Sequence, residues 1–404
     1  IYNTYHTQYG PYASPYPYHP ALSILVGSWL ALFSPWISYA IFVSLSILIL
    51  YYCAHQIAQQ TADPLIKRLA YFLLLCSFPT YLMLWNAQMH VFIVLSVTLV
   101  MVGLWELLNK PNPDPSQVHL KIFAGLLISL FSKPLVLLFL PVLLVIKETR
   151  RTALLSLIIY GVVSAAFVFT PILNPEGITA SNAVGMARSY SLGSISRRAP
   201  HDNLYHWENI FSQSMTIDAK NFELFSFPTF LNAMTGFEIN PLLYKLPILI
   251  LLLFSVLVAF VRHSAGRLLI GLIIIMLWEC CYYVSYNLIW EYQYASLLPI
   301  IPILLFLYNL EHIPTHKKLI KAALLFSIPF YLPTLFFLFR KDPVGHLMLV
   351  RLFRVIPVSA IFLILLILLG LEMKRLMQVS KAQAATHDLS SERLRDRAIR
   401  PTSG

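Results

Sequence analysis

Apolar runs close to 20 residues long follow one another along almost the whole chain, and that constrains it more than any motif does. An α-helix rises 1.5 Å per residue, so each such run is long enough to cross a hydrocarbon core. The runs fall at about 21–33, which is short, 36–57, 67–85, 89–108, 121–132 with 134–147, 152–171, 241–261, 267–286, 294–310, 319–338 and 348–371. Charged residues make up only 12% of the chain, about half the share in a soluble domain. The expected fold is all-α: a polytopic transmembrane bundle of about 10 to 11 helices.

The pair of runs around Lys133 is unusual. Each arm has only about a dozen residues, too short to span, and both outer ends are basic. This predicts a short re-entrant hairpin or one kinked helix. The basic residues also orient the chain. Lys67, Arg68, Lys110, Lys121, Lys147, Arg150, Arg151, Arg262, Arg267, Lys317, Lys318 and Lys321 fall on one side, against Arg340 and Lys341 in the short loops opposite. The positive-inside rule places the first group in the cytoplasm. Residues 1–371 then form the membrane domain, with a long extracytoplasmic loop at 172–240, and 372–404 read as a disordered cytoplasmic tail.

Several function classes drop out. The net charge of +11 comes without a nucleic-acid readout motif. Cys53, Cys76, Cys280 and Cys281 all lie in apolar runs, which argues against a disulfide framework or a zinc site. There is no Walker loop, dinucleotide fingerprint or serine-nucleophile elbow. The opening stretch is polar and Tyr-rich, without the plan of a signal peptide. It carries no acid before Asp63, and an upstream helix is expected.

Candidate chemistry gathers on the outward side. Glu279 is the one acid well inside a predicted span, with Tyr282, Tyr283 and Tyr286 on the same helix face above it. It reads either as a functional carboxyl or as a buried one held by a tyrosine. Glu291, in Asn287-Leu-Ile-Trp-Glu-Tyr-Gln-Tyr294, either orients a sugar through its hydroxyls or anchors an aromatic belt. Lys133, followed by Pro134 at the broken helix, suits a phosphate or snorkels to the interface. Arg351 and Arg354 share one helix face near the outer side, as a clamp for a lipid phosphate or an anchor for anionic headgroups. Tyr18 and His19 close a stiff Tyr/Pro segment, Gln88 and His90 sit in a short apolar turn, and Asp202 and Asn203 mark the long loop. None of these outward groups has metal-ligand spacing.

Several of these segments, in order, resemble glycosyltransferase family 87, polytopic mannosyltransferase-like enzymes of GT-C architecture. Tyr16-Pro-Tyr-His-Pro20 is similar to that family's Tyr-Pro-Pro segment, and Ala87-Gln-Met-His90 to its Gly-Gln-x-Asn turn. Ala124-Gly125 with Ser132-Lys-Pro134 is similar to its Ala-Gly and Lys-x-x-Pro stretch. Trp290-Glu-Tyr-Gln293 with Leu297-Leu-Pro299 is similar to its Trp-x-His-His and Leu-Leu-Pro segment, and Asp202-Asn203-Leu204 more weakly to an Asn-Gln-Ser-Leu motif. His90 stands where the family has Asn, and Tyr292 and Gln293 where it has histidines.

The resemblance implies inverting transfer of a sugar, mannose or a similar hexose or pentose, from a polyprenyl phosphate to a lipid or glycan acceptor outside the cytoplasm. A bacterial inner membrane is the implied setting, with no cofactor beyond the lipid-linked donor. The family's catalytic Asp lies in its first outer loop, so the base is expected upstream of Ile1. Within the chain the catalytic candidates are Glu291, Glu279 and Asp202. Tyr18, His19, Gln88, His90, Lys133, Asn203, Gln293, Arg351 and Arg354 are the candidates for substrate binding. A flippase of lipid-linked saccharides, or a polysaccharide polymerase or ligase, is the alternative.

Overall fold

The computed structural model describes residues 20–27, 30, 32–132, 137–169, 227, 231, 245–261, 263–286, 289, 291–334 and 351–399. Among these there are helices and turns but no strands. After a short helical turn from Pro20 to Gly27, the helices are α1 (Pro35–Ala58), α2 (Pro64–Cys76), α3 (Phe78–Trp85), α4 (Val91–Asn109), α5 (Pro115–Phe131), α6 (Leu140–Val145) and α7 (Arg150–Phe169). They continue as α8 (Leu246–Leu257), α9 (Ser264–Ser285), α10 (Ile300–Leu310), α11 (Pro314–Tyr331) and α12 (Ile356–Ile399). A 3-10 turn, Glu291–Leu297, leads into α10, and a π-turn, Arg351–Val355, leads into α12.

Local chemistry explains the starts. Pro35, Pro64, Pro115 and Pro314 open their helices, where a missing N–H costs nothing and the fixed φ is already helical. Asp63 and Asp114 cap the next turn by accepting from the Leu65 and Ser116 amides at 2.8 and 3.0 Å. The predicted span 67–85 is two helices: Ser77 adopts extended backbone and Pro79 restarts the chain.

Among the described residues, six helical stretches are long and apolar enough to cross a membrane: α1, Pro64–Trp85, α4, α9, Glu291–Leu310 and Arg351–Gln378. The protein is an integral membrane helical bundle. Packing separates the stretches sharply. In α9 the most apolar window is 94% buried and in α4 78%, whereas in α1 it is 28%. The first two therefore form the centre, and α1 presents apolar side chains such as Trp36, Leu48 and Tyr51 outward, as a lipid-facing helix does. Helix α4 packs closely on α5 because Gly125 has no side chain. A Cβ there would lie 2.9 Å from the Ser96 carbonyl, and the Ser96 hydroxyl donates to the Gly125 carbonyl at 2.6 Å.

Two expectations change. The arms flanking Lys133 are unequal, 17 residues in α5 and six in α6, because Asp114-Pro115 starts the first arm earlier than its apolar run; Lys133 itself lies outside the described residues. The segment read as a disordered tail continues α12 to Ile399. It is polar, but it contains no Gly or Pro from 372 to 399 and is rich in good helix formers. Its first residue, Glu372, is buried in the bundle.

Candidate active site

The polar candidates meet at one end of the bundle, around the 3-10 turn Glu291–Leu297. This turn packs against α3 and α4. Its central atom is the carbonyl of Gln293. The Tyr283 hydroxyl donates to it at 2.5 Å and His90 Nε2 lies 2.8 Å away. A carbonyl only accepts, so Nε2 carries the proton in this arrangement. Ser296 Oγ sits 2.7 Å from the Tyr283 hydroxyl and donates to Glu279. Gln293 Nε2 reaches the Tyr282 hydroxyl at 3.4 Å. A chain of close polar contacts thus runs from His90 through Gln293, Tyr283 and Ser296 to Glu279, with Tyr283 donating towards Gln293 and Ser296 towards Glu279, and His90, Gln293, Ser296 and Glu279 are all buried. The tyrosines seal it: Tyr282 stacks on Tyr286 at 5.0 Å, and Tyr283 lies 4.6 Å from Tyr294.

On the other side of the same turn, Glu291 faces Arg354 across 3.1 Å and accepts from the Thr334 hydroxyl at 3.3 Å. Arg354 is fully buried, and it also donates to the carbonyls of Pro329 and, at 2.7 Å, Leu332, where α11 ends. Arg351, one turn away, is buried too, and its Nε has no hydrogen-bond partner among the described residues. Among the described residues, two buried guanidiniums thus lie on the turn that leads into α12, one paired with Glu291 and the other without an ion-pair partner. Buried guanidiniums of this kind interact strongly with anionic oxygens.

The structure thus joins six of the sequence candidates: His90, Gln293, Glu279, Glu291, Arg351 and Arg354. Gln88 stays apart: among the described residues its amide reaches only the Asn86 carbonyl, at 3.4 Å. Its turn is strained, because Ala87 holds φ at 46°, the left-handed region that favours glycine. Tyr18, His19, Lys133, Asp202 and Asn203 lie outside the described residues. Glu279 meets a serine, with Tyr283 one bond further on, rather than a tyrosine directly. Sequence reasoning missed Ser296, Tyr294 and Thr334, which belong to no motif. Ser296 lies five positions after Glu291 on the same turn, and that proximity was the one available signal.

Membrane helices enclosing a buried polar network and, beside it, a buried carboxylate–guanidinium pair define the class as an integral membrane helical protein with a polar centre at one end of its bundle. The chain belongs to glycosyltransferase family 87, whose family model matches residues 16–281. The matched stretch holds His90 and Glu279, while the Glu291–Arg354 side of the site follows it in sequence. No curated protein and no solved structure matches the chain.

Proposed function

We propose that this membrane glycosyltransferase moves a sugar from a polyprenyl-phosphate donor to a lipid or glycan acceptor at the extracytoplasmic face, with inversion. The observation that carries this reading is the buried Glu291–Arg354 pair with Arg351 beside it. In the reaction the acceptor oxygen bonds to the anomeric carbon as the bond from that carbon to the phosphate oxygen breaks. The phosphate leaves with the electron pair, and Arg351 and Arg354 take up its charge. The acceptor proton passes to a carboxylate. In the described part of the chain that is Glu291, whose Oε2 is held only by the 3.3 Å bond from Thr334. Glu279, sealed behind Ser296, is a positioning residue that fixes the turn carrying Glu291.

Family membership supports a transferase over a flippase, and the outward orientation rests on the twelve-to-two bias of the basic residues. The test is transfer from radiolabelled polyprenyl-phosphate mannose in proteoliposomes of the full chain. Glu291→Gln is expected to lower kcat by about 100-fold or more, and Arg351→Ala to raise KM for the lipid donor. Wild-type turnover in both variants would remove the site assignment. Movement of lipid-linked saccharide across the bilayer without any glycosyl product would replace the enzyme by a flippase.

A further inference from the structure

At the opposite end of the bundle, three side chains from separate elements converge. Glu311 follows α10, His316 lies in the first turns of α11, and Glu372 lies on α12. Their ligand-type atoms all fall within 4.8 Å of one another. His316 Nδ1 is 2.7 Å from Glu372 Oε1 and 3.4 Å from Glu311 Oε2.

The arrangement has the logic of a coordination sphere. Each carboxylate uses one oxygen for an outer bond and aims the other at His316. Glu311 Oε1 accepts from the amides of His312 and Ile313 at 2.8 Å each, leaving Oε2 inward. Glu372 Oε2 is held by Arg375, from Nε at 2.9 Å and Nη2 at 2.8 Å, leaving Oε1 inward. The inward atoms, His316 Nδ1 and Glu372 Oε1, are buried, and neither makes a directional hydrogen bond. Polar atoms in such burial ordinarily find a partner. An outer shell that orients ligands and leaves their inner lone pairs unspent is how metal sites are built.

We propose that Glu311, His316 and Glu372 bind a divalent transition cation of the zinc type, with water completing a tetrahedron. Bonds of about 2.0 Å to nitrogen and oxygen put neighbouring ligand atoms roughly 3.3 Å apart in that geometry. The two observed separations, 2.7 and 3.4 Å, bracket this value, so small side-chain shifts complete the sphere. The cation neutralises two carboxylates, Glu372 buried and Glu311 partly buried, which among the described residues have one guanidinium alongside, that of Arg375. Arg354 and Glu372 are 18 residues apart on one continuous helix, or about 27 Å. The cation is therefore structural: it ties α11 to α12 and the α10–α11 turn, and takes no part in the transfer chemistry.

The test uses the full chain in detergent micelles, stripped with a chelator and titrated with Co²⁺. About one Co²⁺ per chain should bind with the intense visible bands of a tetrahedral site, Zn²⁺ should bleach them, and Zn²⁺ should raise the thermal midpoint. His316→Gln and Glu372→Gln should each weaken binding at least about tenfold and remove the thermal shift. Glu311→Gln, at a partly exposed carboxylate, carries the same test if the buried variants fail to fold. Three results overturn the proposal. These are metal content near zero at neutral pH, a thermal midpoint that ignores Zn²⁺, and binding unchanged in the folded variants. The first two would mean that a proton on His316 bridges the carboxylates instead.

Discussion

Both ends of the bundle bury carboxylates, and they compensate them in opposite ways. At the end where α4 and α5 meet, Glu106 accepts from Lys110 at 2.7 Å, Lys121 at 2.9 Å and Gln60 at 2.9 Å. Those partners are flexible, and Lys110 is half exposed, so the pairs can rearrange as water and headgroups move. Glu291 at the other end has Arg354, which is enclosed completely and also holds the last carbonyls of α11. Replaceable partners suit an anchor at a bilayer surface. A fully enclosed charged partner suits a site that must keep its geometry while a charged group comes and goes.

This contrast can be broken by mutation, most strongly at Arg354. Arg354→Met leaves the buried Glu291 carboxylate without its guanidinium and frees the carbonyls of Pro329 and Leu332, so a loss of about 3–5 kcal/mol is expected. The double variant Arg354→Met/Glu291→Gln should recover part of it. Thermal unfolding in detergent measures both, and a single variant as stable as the wild type would show that the pair is not sealed. Lys121→Ala is the matched change at the other end. Glu106 retains Lys110 and Gln60, so about 1 kcal/mol is expected; a loss matching that of Arg354 would erase the distinction.

Smaller effects sharpen the comparison. His90→Ala removes one donor from the Gln293 carbonyl and should cost about 1 kcal/mol, together with a fall in kcat as the turn loosens. His90→Asn, which restores the residue of the family turn, should rescue turnover if the role is to donate there. Ala87→Gly relieves a left-handed backbone angle, and about 1 kcal/mol of added stability is expected in the same unfolding assay. The smallest effect concerns pH at the α6–α7 turn. Burial pushes the Glu148 carboxyl upward, but the hydrogen bond from Ser264 at 2.5 Å and the bond from Arg267 at 3.0 Å outweigh it, and the net shift is downward. A depressed folded value stabilises the fold above the ordinary Glu range and ceases to do so as pH falls through that value. Glu148→Gln should therefore lower the midpoint slightly at neutral pH and leave it unchanged in acid, where the wild type has lost the same contribution.

The membrane helices were legible because hydropathy and proline act locally. Asp63-Pro64 and Asp114-Pro115 fix helix starts in residues adjacent in sequence, and the apolar runs do the rest. Glu279, Glu291 and Arg354 were legible as charges out of place in apolar surroundings. Their partners were not. His90 meets a carbonyl 203 positions away, and Thr334 meets Glu291 43 positions away; such distant pairings leave no mark in composition or periodicity. The helical run past Glu372 was misjudged for a related reason. Sparse apolar content was read as failure to fold, while helix propensity and a buried first residue decide otherwise.

That last helix has a mechanical consequence. From Ile356 to Ile399 it has 44 residues and is about 66 Å long, roughly twice the thickness of a hydrocarbon core. It acts as a rod whose near end is seated by Arg354 and which is clamped again at Glu372, short of its middle. A rod pinned at two points turns a small tilt at the pinned half into a larger sweep of the free half. A label near residue 399 would thus work as a pointer, magnifying any shift at the candidate site into motion readable at the far end of the helix.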